Sequence, residues 1–168
     1  TTTASSCMVM EVEDTRFGDR GVLFMGDCGV IPEPTVDQLA DIAISTARLA
    51  RQISGVRPRV ALLSYSNFGS SDGVTPRKMR AALKRIRSAD PDLIVDGEMQ
   101  ANFAVDNGLL AEQFPFSDLV GKGPNVFVFP GLSSANISYK LLQSMAGLEA
   151  VGPLLVGLEY PAHVLQLG

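Results

Sequence analysis

Residues 58–100 read PRVALLSYSNFGSSDGVTPRKMRAALKRIRSADPDLIVDGEMQ, and their pattern decides the fold. Arg59 to Ser64 is a short apolar run of strand length. A polar loop follows, Tyr65 to Gly73, rich in Ser and Gly. Thr75 with Pro76 opens a helix, because proline fits the first helical turn. Met79, Ala82, Leu83 and Ile86 recur at helical spacing and form its inner face. Asp92 to Val95 is the next strand and ends in Asp96-Gly97-Glu98. Strand, loop, helix and strand in this order make a parallel βαβ unit.

The same alternation extends in both directions. Upstream, residues 7–14 (CMVMEVED) and 21–28 (GVLFMGDC) are apolar and strand-like, with turn residues at 17–21 (FGDRG), so a hairpin is expected. Pro32 and Pro34 close a loop, and Thr35 with Gln38 has the spacing of a capping box. Val36, Leu39, Ala40, Ala43, Ala47 and Ala50 then mark a helix that stops near Gly55. Its alanine-rich stripe predicts close approach to a sheet. Downstream, a helical stretch at 99–105 is broken by Asn107-Gly108, and Asn125 to Phe129 is a strand. A helix capped by Ser133 or Ser134 runs to about Met145, and residues 154–158 are strand-like. The prediction is one three-layer α/β domain, with a central, mostly parallel sheet flanked by helices and an antiparallel hairpin at its N-terminal edge.

Composition narrows the function. The chain has 168 residues, enough for one domain with a real core. A net charge of −4 makes bulk attraction to nucleic acid unfavourable. No apolar run reaches the roughly 18–20 residues that span a bilayer, and Thr1 to Ser6 does not read as a signal peptide. Cys7 and Cys28 are the only cysteines and His163 the only histidine. These counts exclude a Cys/His-rich metal site and weigh against a Ser-His-Asp machine. Two thiols in apolar runs read as buried and reduced, which points to the cytoplasm.

In an open α/β sheet, ligands bind at the carboxyl ends of the strands. The candidate contacts there are Ser64, Ser66, Gly69 and Ser70 after one strand, and Gly131, Ser133, Ser134 and Asn136 after another. Small hydroxyl and glycine residues beside a helix start can hold a phosphate or carboxylate; they also occur as ordinary caps. Asp96 and Glu98, two apart, are read either as an acid–base pair or as a structural acidic corner. The basic segment Arg77 to Arg87 is read as the solvated face of an amphipathic helix, with an anion-binding patch as the other reading. There is no GxxxxGK[ST] motif, and Gly121-Lys122-Gly123 fails the dinucleotide pattern.

Residues 3–10 (TASSCMVM), 24–31 (FMGDCGVI), 38–44 (QLADIAI), 58–70 (PRVALLSYSNFGS), 95–100 (VDGEMQ), 128–140 (VFPGLSSANISYK) and 151–157 (VGPLLVG) together resemble the phosphate acetyl/butyryl transferase family, in the family's own order. Within it, residues 64–69 and 96–100 are most similar to the C-terminal phosphotransacetylase-like domain of hybrid NADP-dependent malic enzymes. That resemblance implies a domain that binds acetyl-CoA as an allosteric signal without turning it over. NADP and a divalent metal would belong to an N-terminal region before Thr1. The alternative it implies is part of an active phosphate acetyltransferase.

The family's transferases carry Leu-Ser-Arg-Gly where this chain has Leu165-Gln166-Leu167-Gly168, and that difference is the reason to expect no catalytic residues here. Family members have two lobes with the ligand cleft between them. The resemblance therefore implies that residues 1–168 are mainly one lobe of a longer chain, and an acyl-CoA ligand and a homodimer or higher homo-oligomer are expected.

Overall fold

Every residue of the strand Arg59–Leu63 is buried, because helices cover both faces of the sheet it belongs to. The structure is a computed structural model that describes residues 3–159. In chain order its elements are β1 (Ser5–Glu11), β2 (Val22–Gly26), α1 (Val36–Ser54), β3 (Arg59–Leu63), α2 (Val74–Ala89), β4 (Ile94–Met99), α3 (Ala101–Val105), α4 (Asn107–Gln113), β5 (Val126–Val128), α5 (Leu132–Ala146) and β6 (Glu149–Val156). The six strands form one sheet in the order β4-β3-β5-β2-β1-β6. β2, β3, β4 and β5 pair in parallel, and β1 is antiparallel to both of its neighbours, β2 and β6. Five strands therefore point one way, and their carboxyl ends gather on one rim together with the start of β1.

Helices α1 and α2 cover one face. Leu39, Ile42, Ala43, Met79 and Ile86 pack there on Phe24, Val60, Leu62 and Val128. The opposite face carries Met8, Met10, Met25, Phe127 and Phe129 under α3, α4 and α5. The capping box on α1 is present in both directions: Thr35 Oγ1 accepts from the Gln38 amide at 3.2 Å, and Gln38 Oε1 accepts from the Thr35 amide at 2.9 Å. Gly55 ends α1 in the left-handed conformation. The predicted alternation and the three layers are all present.

Three details differ from the sequence-based expectation. Asn107-Gly108 begins a helix, because the Asp106 carboxylate accepts from the Leu109 amide at 2.9 Å and caps α4. The last strand runs earlier, Glu149–Val156, and pairs with β1, so β6 and not the hairpin forms the outer edge. β4 continues through Asp96-Gly97-Glu98 to Met99, with a register shift against β3 between Leu62 and Leu63. Gly97 sits at φ +139°, and a Cβ there would lie 2.6 Å from the Leu62 carbonyl oxygen. Only glycine fits that bend.

Candidate functional site

The rim holds two groups of residues. The first is the loop between β3 and α2. The Ser64 amide donates to Met99 O at 2.9 Å, which ties the loop's start to the end of β4. Ser66 is fully buried, and its hydroxyl accepts from the Ser71 amide at 3.0 Å and lies 3.2 Å from Ser70 Oγ. Ser70 Oγ also accepts from the Asn67 amide at 2.9 Å. The Phe68 amide donates to Glu98 O and the Gly69 amide to Glu98 Oε2, at 2.7 and 3.4 Å. The backbone N–H groups of residues 67–71 are thus spent within the loop and on β4. Gly69 and Ser70 remain exposed, whereas Ser64 Oγ is buried without a partner among the described residues.

The second group surrounds the start of α5. Gly131 is the N-cap residue and offers no side-chain oxygen. The Leu132 amide donates to Pro32 O at 3.1 Å, which fixes the helix against the loop after β2. The amides of Ser133 and Ser134 find no acceptor among the described residues, so two N–H groups at the positive end of a 15-residue helix stay open. Ser134 Oγ donates to Gly131 O at 2.8 Å, and Ser133 is exposed. Asn136, one turn on, lines a cleft of about 270 Å³ with Ser6, Met8, Cys28, Gly29, Tyr139 and Pro153. β3 and β5 are sheet neighbours, so the two groups share the rim, but only Asn136 among the eight candidates lines this cleft.

Asp27 organises the cleft's other wall. It is buried, and its Oδ1 accepts from the Ser6 amide at 3.0 Å, Ser6 Oγ at 2.7 Å, the Gly29 amide at 3.1 Å and the Val30 amide at 3.2 Å. Its Oδ2 accepts from the Ile31 amide at 2.7 Å. Sequence reasoning passed over this residue, although an aspartate at a strand end followed by glycine is the signature of a side chain that bonds its own downstream backbone.

Both cysteines are buried and free. Burial pushes the Cys28 thiol up to about 12 and raises that of Cys7 further, so neither is a nucleophile at neutral pH. Asp96 and Glu98 serve separate networks. Asp96 accepts from Ser117 Oγ at 2.8 Å and the Asp118 amide at 3.1 Å, while Glu98 meets Arg80 of α2 at 2.7 Å. The register shift in β4 sends the two carboxylates to different neighbours. Arg77, Arg85 and Arg87 of the basic segment pair with Asp72, Asp37 and Asp96. Among the described residues no group of His, Cys, Asp and Glu forms a metal site, and no helix is long and apolar enough to cross a membrane. His163, Gln166 and Leu167 lie outside the described residues.

A family model, phosphate acetyl/butaryl transferase, matches residues 1–168. The chain belongs to that family. The phosphate acetyltransferase of Clostridium acetobutylicum is 42% identical over 98% of this chain and 49% of its own length. That of Treponema pallidum is 42% identical over 99% of this chain and 50% of its own. The EutD phosphotransacetylase from Staphylococcus aureus superposes with a TM-score of 0.90 at 35% identity, covering all of this chain and 50% of that one. This family member thus spans about half the length of the relatives it matches.

The expectation of a non-catalytic, acetyl-CoA-sensing domain of an NADP-dependent malic enzyme is overturned. The malic enzyme of Salmonella typhimurium is related, at 44% identity, but over 86% of this chain and only 19% of its own length. The phosphate acetyltransferases match over nearly the whole chain, and the solved phosphotransacetylase from Staphylococcus aureus shares its fold. Gln166 and Leu167 differ from the family's Ser-Arg pair, but two positions weigh less than similarity over 98–99% of the chain. Phosphate can also be held by uncharged backbone donors, and the start of α5 leaves the Ser133 and Ser134 N–H groups without an acceptor among the described residues.

Proposed function

We propose that this protein acts in phosphate acetyl transfer, moving an acetyl group between coenzyme A and inorganic phosphate. The observation that carries the reading is the similarity to phosphate acetyltransferases over 98–99% of the chain. The rim geometry supports it. In this reading the phosphoryl group of acetyl phosphate sits at the start of α5, against Gly131, Ser133 and Ser134, where open N–H groups and the helix dipole favour an anion. Asn136 lines the cleft, and the β3–α2 loop, with Ser64, Ser66, Gly69 and Ser70, lies on the same rim. In the transfer, the thiolate of CoA attacks the acetyl carbonyl carbon. The bond from that carbon to the phosphate oxygen breaks, phosphate leaves with its electron pair, and the thiol proton passes to a base. Neutral donors at the rim stabilise charge on the phosphate.

The same proposal includes a homodimer. α5 exposes Ile137, Leu141 and Met145, the last at 82%, beside an apolar groove of about 410 Å³ between α3 and α5, and a surface of this kind favours association. Two buried, unpaired thiols suit a reducing cytoplasm. The test is a coupled assay on the intact protein. Acetyl-CoA should form from acetyl phosphate only when CoA is present, with one phosphate released per thioester. An absence of turnover sinks the reading.

A further inference from the structure

One charged pair lies beneath the rim and outside the chemistry described above. Glu98 is fully buried, and its Oε2 accepts from Arg80 Nη1 at 2.7 Å. Oε2 also accepts from the Gly69 amide at 3.4 Å, and the Glu98 carbonyl accepts from the Phe68 amide at 2.7 Å. Arg80 reaches the far limb of the same loop, donating to Ser71 O at 3.3 Å, with Asp72 at 3.8 Å. Gln100, two residues past Glu98, completes the clasp: its amide donates to Asn67 Oδ1 at 2.8 Å and its side chain to Tyr65 O at 2.7 Å. Both limbs of the β3–α2 loop are therefore fastened to the end of β4 and the second turn of α2, and the ion pair ties Gly69 on one side to Ser71 on the other.

Stability does not account for this arrangement. Glu98 Oε1 and the nearby strand-end hydroxyl of Ser64 are both buried without a partner among the described residues. A buried carboxylate with an unmet oxygen costs the fold, and apolar side chains in its place often stabilise a protein. Yet the pair meets a specific need. The loop is rich in Ser and Gly and would otherwise sample many conformations.

We propose that Glu98 and Arg80 are positioning residues that lock the β3–α2 loop, so that exposed Gly69 and Ser70 present a fixed surface to coenzyme A on the shared rim. Glu98 is itself too deeply buried to touch substrate and acts through Gly69 and Arg80. The assignment rests on the acetyl-transfer reading for its ligand but not for its mechanical part.

The test uses the intact protein with Glu98→Gln, and with Arg80→Lys as a milder variant in case the first does not fold. Two readouts are needed. Hydrogen exchange at the amides of residues 67–71, without ligand, should speed up about tenfold or more in Glu98→Gln and less in Arg80→Lys. The KM for CoA should rise about tenfold in Glu98→Gln with kcat within about threefold, and the conservative Arg80→Lys should fall between. Unchanged exchange in either folded variant overturns the proposal. So does a loss confined to kcat with an unchanged KM, which is what a merely structural residue would give. If the unmodified protein shows no acetyl transfer, the functional reading fails by itself, and the exchange arm still decides whether the pair locks the loop.

Discussion

Asp27 offers the most quantitative check on how the rim is built. Its carboxylate collects five donors from β1 and the loop after β2. Asparagine has nearly the same shape but only one oxygen. If that oxygen keeps the Oδ1 position, the amide nitrogen faces the Ile31 N–H, one bond is lost, and a donor is left unmet, at about 1–3 kcal/mol. The four remaining donors share one oxygen, so their weakening to neutral bonds is not additive and together contributes about 1 kcal/mol. Asp27→Asn should therefore cost about 2–4 kcal/mol. With a urea m-value of about 2 kcal/mol/M for a chain of this size, the midpoint should drop by about 1–2 M at unchanged m. Asp27→Ala, which strands all five donors, should cost more. A loss below about 0.5 kcal/mol for Asp27→Asn would show that these bonds do not hold the loop.

Three other predictions follow from single residues. Gly97→Ala puts a Cβ against the Leu62 carbonyl at a backbone angle that L-residues avoid; it should cost about 3 kcal/mol and lower Tm by roughly 6–12 °C in a thermal melt. The raised thiols of Cys7 and Cys28 stay protonated in the folded state after the unfolded chain has begun to ionise near pH 9. Their stabilisation is complete below that pH and is lost as pH rises toward 12, by about 1.4 kcal/mol per pH unit for each thiol. Cys28→Ala should roughly halve that slope in denaturation measured between pH 9 and 11. Asn136→Ala should leave the fold intact by circular dichroism and reduce kcat/KM with acetyl phosphate about 10- to 100-fold, the worth of a hydrogen bond to a charged group.

Much of the architecture was legible because its signals are local. The Thr35–Gln38 capping box, the alanine stripe of α1 and the Gly55 stop all lie within one helix, and the structure reproduces each. The apolar run at Arg59–Leu63 announced a strand buried on both faces. What escaped depended on neighbours distant in sequence. Asn107-Gly108 looks like a helix breaker until Asp106 is seen to cap the next turn. The last strand's boundaries are set by pairing with β1, almost the whole chain away. Asp27 was invisible as an organiser because two of its five donors come from Ser6, across the hairpin. Glu98 and Arg80 look like a strand-end acid and one basic residue among several; only packing of α2 on β4 shows that they form a pair. The rim itself was foreseeable from the parallel strands, but which of its N–H groups are spent and which are open required the hydrogen bonds.

Acetyl transfer is the central claim, and isotope exchange tests it most directly. The intact protein, incubated with acetyl-CoA and labelled inorganic phosphate, should place label in acetyl phosphate and release free thiol in equal amount, and omission of phosphate should abolish thiol release. Tight binding of acetyl-CoA with no label in acetyl phosphate would contradict the account.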